Sequence, residues 1–256
     1  TVLNLVRELA DSQKAQWKAR VQSANNFPTA AGLASSASGL SAVAYGAVKA
    51  LGLNLSLTKI SEIARRGSGS ASRSLFGGFV RWSAGTKSDG SDSVAHCIKD
   101  SDYWPLDVFV VVSNSGQKHH ASTGGMEHTK LTSPYFAAWT ESAEKDADLV
   151  QRCIENKDFG FLATIAESNC IKMHASAMAA KPPILYWNGT TVDMLHKVMG
   201  LRASGVEVFS TIDAGPNVVV ICNPQYSEKV LNSIFEVPGI SILKTSIGPG
   251  TRSLQN

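Results

Sequence analysis

A chain of 256 residues, 43% of them hydrophobic, is long enough to bury one large core or two modest ones. Its 24 basic and 21 acidic residues leave a formal charge of +3 with no basic run, which argues against nucleic-acid binding and suits a small anionic ligand. No apolar run reaches the length of a bilayer span, and Cys97, Cys153, Cys170 and Cys222 stand far apart without a C-x-x-C pair, so the expectation is a cytoplasmic protein with reduced thiols, not a membrane, zinc or dithiol protein.

In chain order, the apolar positions Leu40, Val43, Ala44, Ala47, Val48 and Leu51 recur at helical spacing and are stopped by Gly52. A second helix has Leu57, Ile60, Ile63 and Ala64 on one face, Ser56 as its cap, and Arg65 and Arg66 in its last turn before Gly67. A glycine-serine loop follows, then a strand at 79–83 and a polar surface loop at 86–93. Pro105 precedes the β-branched run 108–112, a buried strand, and we place a domain boundary there, giving domains 1–104 and 105–256. The second part predicts helices over 134–156, 158–178 and 191–203, strands at 207–211 and 218–222, a helix at 227–235 and a last strand at 240–245. Alternation between strand-like and helix-like periods marks the chain as α+β.

Chemistry concentrates in three segments. Pro28-Thr29-Ala30-Ala31-Gly32-Leu33-Ala34-Ser35-Ser36-Ala37-Ser38-Gly39 opens directly onto the first helix, so unpaired backbone N–H groups and the positive end of the helix dipole lie beside serine hydroxyls, a place that suits an anion. It lacks the Gly-Lys-Ser/Thr ending of a P-loop and the Gly-x-Gly-x-x-Gly of a dinucleotide site. On local grounds a serine-capped helix start is as good an account as a phosphate site. The second segment is the run from Gly67 to Gly78, with Ser68, Ser70 and Arg73. The third is Asp213-Ala214-Gly215-Pro216-Asn217 behind an apolar strand, where the aspartate reads either as a base held at a strand end or as a turn-capping residue.

The pattern Pro-x-x-x-Gly-Leu-x-Ser-Ser resembles the phosphate loop of the superfamily of galactokinase, homoserine kinase, mevalonate kinase and phosphomevalonate kinase. Taken with the 67–78 and 213–217 segments, with Asp89-Gly90-Ser91-Asp92-Ser93, Ser122-Thr123-Gly124-Gly125-Met126, and Met173-His174-Ala175 before Pro182-Pro183, the chain resembles the diphosphomevalonate decarboxylases over almost its whole length. The resemblance implies a two-lobed small-molecule-kinase-like fold: an N-terminal ribosomal-protein-like α/β domain, incomplete in this chain, and a C-terminal ferredoxin-like α+β domain. Nothing in the sequence matches the family's Asn-x-Ala-x-x-Lys-Tyr-Trp-Gly-Lys type segment, so the resemblance also implies that part of the nucleotide pocket and of the basic contacts to the substrate diphosphate lie outside this chain.

The activity so implied is ATP-dependent decarboxylation of diphosphomevalonate to isopentenyl diphosphate, with Mg²⁺. The resemblance assigns Asp213 to the C3 hydroxyl, Arg73 to the C1 carboxylate, and Ser68, Ser70 and Ser122 to substrate oxygens. It assigns Gly32, Leu33, Ala34, Ser35 and Ser36 to the ATP phosphates, with Ser36 beside Mg²⁺. It further implies a homodimer with no membrane or nucleic-acid partner. Two other readings remain at this point: a kinase of the same superfamily acting on mevalonate or phosphomevalonate, and a non-catalytic fragment. Adjacent His119 and His120 point apart on any regular element and have no third ligand at a recognised spacing, so they read as solvent-facing. His174, His196, Trp104, Trp139 and Trp187 read as structural.

Overall fold

The computed structural model describes residues 2–10, 18–25, 35–113 and 122–254. Contacts divide them into two compact units. One holds the described residues up to 103 and the segment 248–254; the other runs from Trp104 to Ile247.

In the first unit, helix α1 (Val2–Glu8) lays Val2 and Val6 against α2 (Ser35–Ala50) and α3 (Leu57–Arg65). These helices form because their apolar residues fall on one face: Ala44 and Val48 of α2 and Ile60, Ile63 and Ala64 of α3 close the core with Ala71 and Leu75. Ser56 caps α3 by accepting from the Lys59 N–H, and Gly52 ends α2 in the left-handed region at φ 64°. Strands β1 (Phe79–Trp82) and β2 (Ala95–Lys99) pair antiparallel.

The second unit is a four-stranded antiparallel sheet of β3 (Asp107–Ser113), β4 (Val208–Thr211), β5 (Val218–Cys222) and β6 (Ile240–Ser246), in the order β4-β5-β3-β6. Between β3 and β4 run α4 (Ser122–Thr132), α5 (Phe136–Asn156), α6 (Phe159–Met178) and α7 (Gly189–Ala203); α8 (Ser227–Phe235) joins β5 to β6. Helices thus connect β3 to β4 and β5 to β6, while β4 and β5 are joined by the short turn 212–217, which gives the ferredoxin-like arrangement that the resemblance implies. Phe109, Val111, Val208, Val218 and Val220 bury one sheet face against Met194 and Val198 of α7 and Val230 and Ile234 of α8. Phe159 of α6 meets Phe209 edge-on at 5.5 Å.

Four features differ from the sequence expectations. Within the glycine-serine run, Gly69–Leu75 winds into a 3-10 helix, because Ser72 is buried with its hydroxyl donating to the Gly69 carbonyl at 2.7 Å. Helices α1 and α4 and strand β2 are additional elements that the sequence reading leaves out.

Candidate active site

Arg73 stands exposed on the 3-10 helix and borders a cavity of about 530 Å³ in the first unit. Ser38, Ser41, Ser74 and the segment Gly248–Thr251 share that wall. The guanidinium lies over the Trp82 ring at 6.0 Å, a contact that orients the group without using its hydrogen-bond donors. Gly69 makes this possible: a Cβ there would sit 2.7 Å from Trp82. Ser68 and Ser70 are half-buried, share a hydrogen bond at 3.2 Å and lie outside the cavity wall.

The tail 248–251 is fastened to the Arg73 helix by backbone. Gly78 N–H donates to the Gly248 carbonyl at 3.0 Å, Thr251 N–H to Leu75 O at 3.2 Å, and the Thr251 hydroxyl to Ser74 O at 2.9 Å. Gly77 and Gly250 face each other so closely that a Cβ on Gly77 would lie 2.6 Å from the Gly250 nitrogen. The sequence reading overlooks this tail, although Gly248-Pro249-Gly250 is a turn signature.

Of the phosphate-loop candidates, Ser35 and Ser36 form the first turn of α2, Ser36 exposed, in a turn that holds no acidic residue. That turn therefore offers an anion a helix N-terminus without competing negative charge, and a hydroxyl is a ligand type Mg²⁺ accepts. Gly32, Leu33 and Ala34 lie outside the described residues, as do His119 and His120. Ser38 sits inside α2 with its hydroxyl donating to the Ser35 carbonyl at 3.1 Å.

In the second unit Ser122 is the first residue of α4. Gly125, from the same motif, is buried beneath Tyr186: a Cβ would come within 2.2 Å of the phenol oxygen.

Asp213 follows β4 by two residues, is exposed, and borders a second cavity of about 380 Å³ with Trp139, Asp146, Val150, Asn169 and Met173. Asp146 is held by Lys172 at 2.5 Å and by the Asn169 amide at 2.8 Å. Among the described residues the Asp213 carboxylate has no hydrogen-bond or ion-pair partner, so it is the open acceptor of this wall.

The backbone around Asp213 is clamped on both sides. Upstream, Ile212 N–H donates to the Cys170 sulfur at 3.2 Å, and the Ile212 carbonyl accepts from His174 Nε2 at 3.1 Å. Burial pushes the Cys170 thiol above its ordinary pKa, opposed by its hydrogen bond to the Ile212 backbone. His174 is 1% exposed, and burial pulls its imidazole down to about 4, against the opposing effect of the Ile212 carbonyl. Downstream, Gly215 N–H donates to the Asp213 carbonyl at 2.7 Å and the Thr191 hydroxyl to Pro216 O at 2.7 Å. Asn217 Oδ1 accepts from Ser113 N–H at 3.0 Å. Asn188 and Thr191 form the capping box of α7, so one helix start serves the turn as well.

The comparisons with known proteins agree with one another. Residues 1–95 match the diphosphomevalonate decarboxylase-like N-terminal domain and residues 108–246 the mevalonate 5-diphosphate decarboxylase C-terminal domain. The chain is 37% identical to diphosphomevalonate decarboxylase of Candida albicans over 96% of its own length and 74% of the relative's. It is 41% identical to the human enzyme of that name over 79% of its length, which is 51% of the human chain. A structure of the mevalonate diphosphate decarboxylase from Enterococcus faecalis superposes with a TM-score of 0.85 at 39% identity, covering 97% of this chain and 75% of that one. The Trypanosoma brucei protein gives 0.88 at 28% identity, covering 99% and 78%. On matches that span both units, the chain belongs to the mevalonate diphosphate decarboxylase family.

Proposed function

We propose that this protein converts (R)-5-diphosphomevalonate, ATP-dependently, to isopentenyl diphosphate, ADP, phosphate and CO₂, a step of isoprenoid biosynthesis by the mevalonate pathway. The observation that carries the proposal is Asp213: an open carboxylate at a strand end, clamped through the backbone on both flanks. A general base needs both properties, an unengaged acceptor and a fixed position. One relative has been solved in complex with MVAPP, AMPPCP and magnesium, which supports the assignment of ATP and Mg²⁺.

In this reading Asp213 orients the C3 hydroxyl and accepts its proton as the γ-phosphoryl group is taken up. ATP supplies that group, and Mg²⁺ spreads the charge on its oxygens. A tertiary hydroxyl leaves poorly and phosphate leaves well: the C3–O bond breaks with its electron pair on phosphate, while the C1–C2 pair becomes the new double bond and CO₂ departs. Arg73 grips the C1 carboxylate through two parallel hydrogen bonds until it is expelled. The segment 32–36 holds the ATP phosphates through backbone N–H groups, with Ser36 beside the metal. Ser68, Ser70 and Ser122 supply hydroxyls to substrate oxygens. We assign phosphate binding to domain 1–104, to which the tail from Gly248 belongs by its contacts, and the base to the remainder of domain 105–256, in a cytoplasmic homodimer.

The test is ATP-dependent release of label from C1-labelled diphosphomevalonate, with ADP followed in parallel on the native full-length chain. Equal CO₂ and ADP are expected. ADP without CO₂ would make it a kinase of the superfamily, and neither product would refute the proposal; sedimentation of the same sample reads the dimer.

A further inference from the structure

We propose that His174, assisted by Cys170, is the residue that positions Asp213, acting through the peptide bond between Ile212 and Asp213. The inference deepens the proposed function and rests on Asp213 being its base. Cys170 and His174 stand four residues apart on α6 and therefore share one face. From that face they engage both polar atoms of Ile212: the thiol takes the N–H at 3.2 Å, and the imidazole Nε2–H donates to the carbonyl at 3.1 Å. That carbonyl belongs to the planar peptide unit whose other end is the Asp213 nitrogen, so fixing it fixes the direction in which the Asp213 Cα leaves the strand.

Among the described residues the imidazole makes no other hydrogen bond. Its Nδ1 is buried without a partner among the described residues. The ring is wedged between Tyr186, edge-on with centroids 5.9 Å apart, and Trp187 at 4.9 Å. An aromatic hydrocarbon would fill such a space without an unsatisfied nitrogen, so filling it does not account for an imidazole; a donor aimed at one carbonyl does. The carbonyl chosen is the one adjoining the candidate base, 38 residues away in sequence.

Three substitutions separate donor from shape. His174→Gln reaches the Nε2 position with an amide N–H, His174→Asn reaches only as far as Nδ1, and His174→Phe keeps the ring and loses the donor. With the native full-length chain, we expect kcat of the Gln variant to stay within roughly five-fold of wild type. The Asn and Phe variants should lose on the order of 10- to 100-fold in kcat, with KM for ATP unchanged and native circular dichroism, because displacement of a reacting group by a fraction of an ångström acts on the chemical step. A folded Phe variant with wild-type kcat would overturn the proposal, as would a Gln variant impaired as much as Phe. If the Asn and Phe variants do not fold, Cys170→Ala decides: a kcat loss of roughly three- to ten-fold at constant KM supports the clamp, and an unaltered kcat refutes it. Asp213→Ala is measured alongside. If that variant keeps wild-type turnover, the reading of Asp213 as base has failed whatever His174 does.

Discussion

Protonation of His174 should destabilise the fold, by an amount that follows from its burial. In the native state its pKa lies at about 4 against an ordinary value of 6.5. The neutral ring donates from Nε2 to Ile212 O, and Nδ1 faces no acceptor among the described residues. A proton added at Nδ1 would be a buried, unpaired charge. The unfolded chain takes up that proton at ordinary pKa, so between the two values the unfolded state binds more protons and stability falls as pH drops. The loss begins near pH 6.5, reaches about 2 kcal/mol at pH 5 and levels at about 3 kcal/mol below pH 4. Many carboxylates titrate in the same window, so the measurement is a difference. Urea unfolding of wild type and His174→Gln is followed at pH 7.5, 6 and 5, and the gap between the two should shift in favour of the Gln variant by the amounts given. Parallel curves for the two proteins would show that the imidazole is not held neutral by its surroundings, and the reasoning from burial to pKa would fail.

Asp213→Ala should lower kcat on the order of 10²- to 10⁴-fold with the fold and ATP binding intact, as read by coupled ADP release and nucleotide titration; turnover within two-fold of wild type would remove it from catalysis. Arg73→Ala should lower kcat/KM for the substrate on the order of 10²-fold with KM for ATP unchanged, and Arg73→Lys should not restore it, since an ammonium lacks the planar fork; an unchanged kcat/KM takes Arg73 out of the site. Gly250→Ala brings a Cβ within 2.7 Å of Leu75 O and 2.8 Å of the Gly77 nitrogen. Both neighbours are backbone, so the tail must detach and the melting temperature of the first unit should drop, on the order of 1–3 kcal/mol in stability; an unshifted melt would mean the tail does not hold the Arg73 helix.

Much of the second unit was legible because its signals are local. Asp158 caps α6 by accepting from the Phe161 N–H, β5 is a continuous Val-Val-Val-Ile-Cys run, and α8 carries its apolar residues on one face. Strand β2 escaped because Ala-His-Cys-Ile-Lys has no clean alternation and only Ala95 is buried. Helix α4 begins Ser-Thr-Gly-Gly, two glycines in its first turn, which reads as a loop; tertiary packing overrides that preference, since Gly125 is the residue that lets Tyr186 approach. Asp213 could be picked out as a strand-end carboxylate, yet the atoms that hold it come from Cys170, His174, Thr191 and Ser113. No local pattern joins residues so far apart, and the i, i+4 spacing of Cys170 and His174 was the one available hint.

The glycines of the 67–78 run bear on what kind of site this chain builds. From sequence they read as a glycine-serine loop. The structure uses them for proximity instead: Gly69 admits the Trp82 ring, and Gly77 admits the backbone of Gly250. Ser72 is buried and its hydroxyl closes the turn onto Gly69. Arg73 therefore projects from a segment whose neighbours are already packed, with its guanidinium over Trp82. Asp213 is treated the same way, an exposed side chain on backbone clamped at Ile212, Pro216 and Asn217. A segment ordered before its ligand arrives does not lose that conformational entropy on binding. For a reaction in which the protein contributes position and charge rather than covalent chemistry, rigid backbone beneath exposed functional groups is the arrangement that lets binding energy reach the reacting atoms.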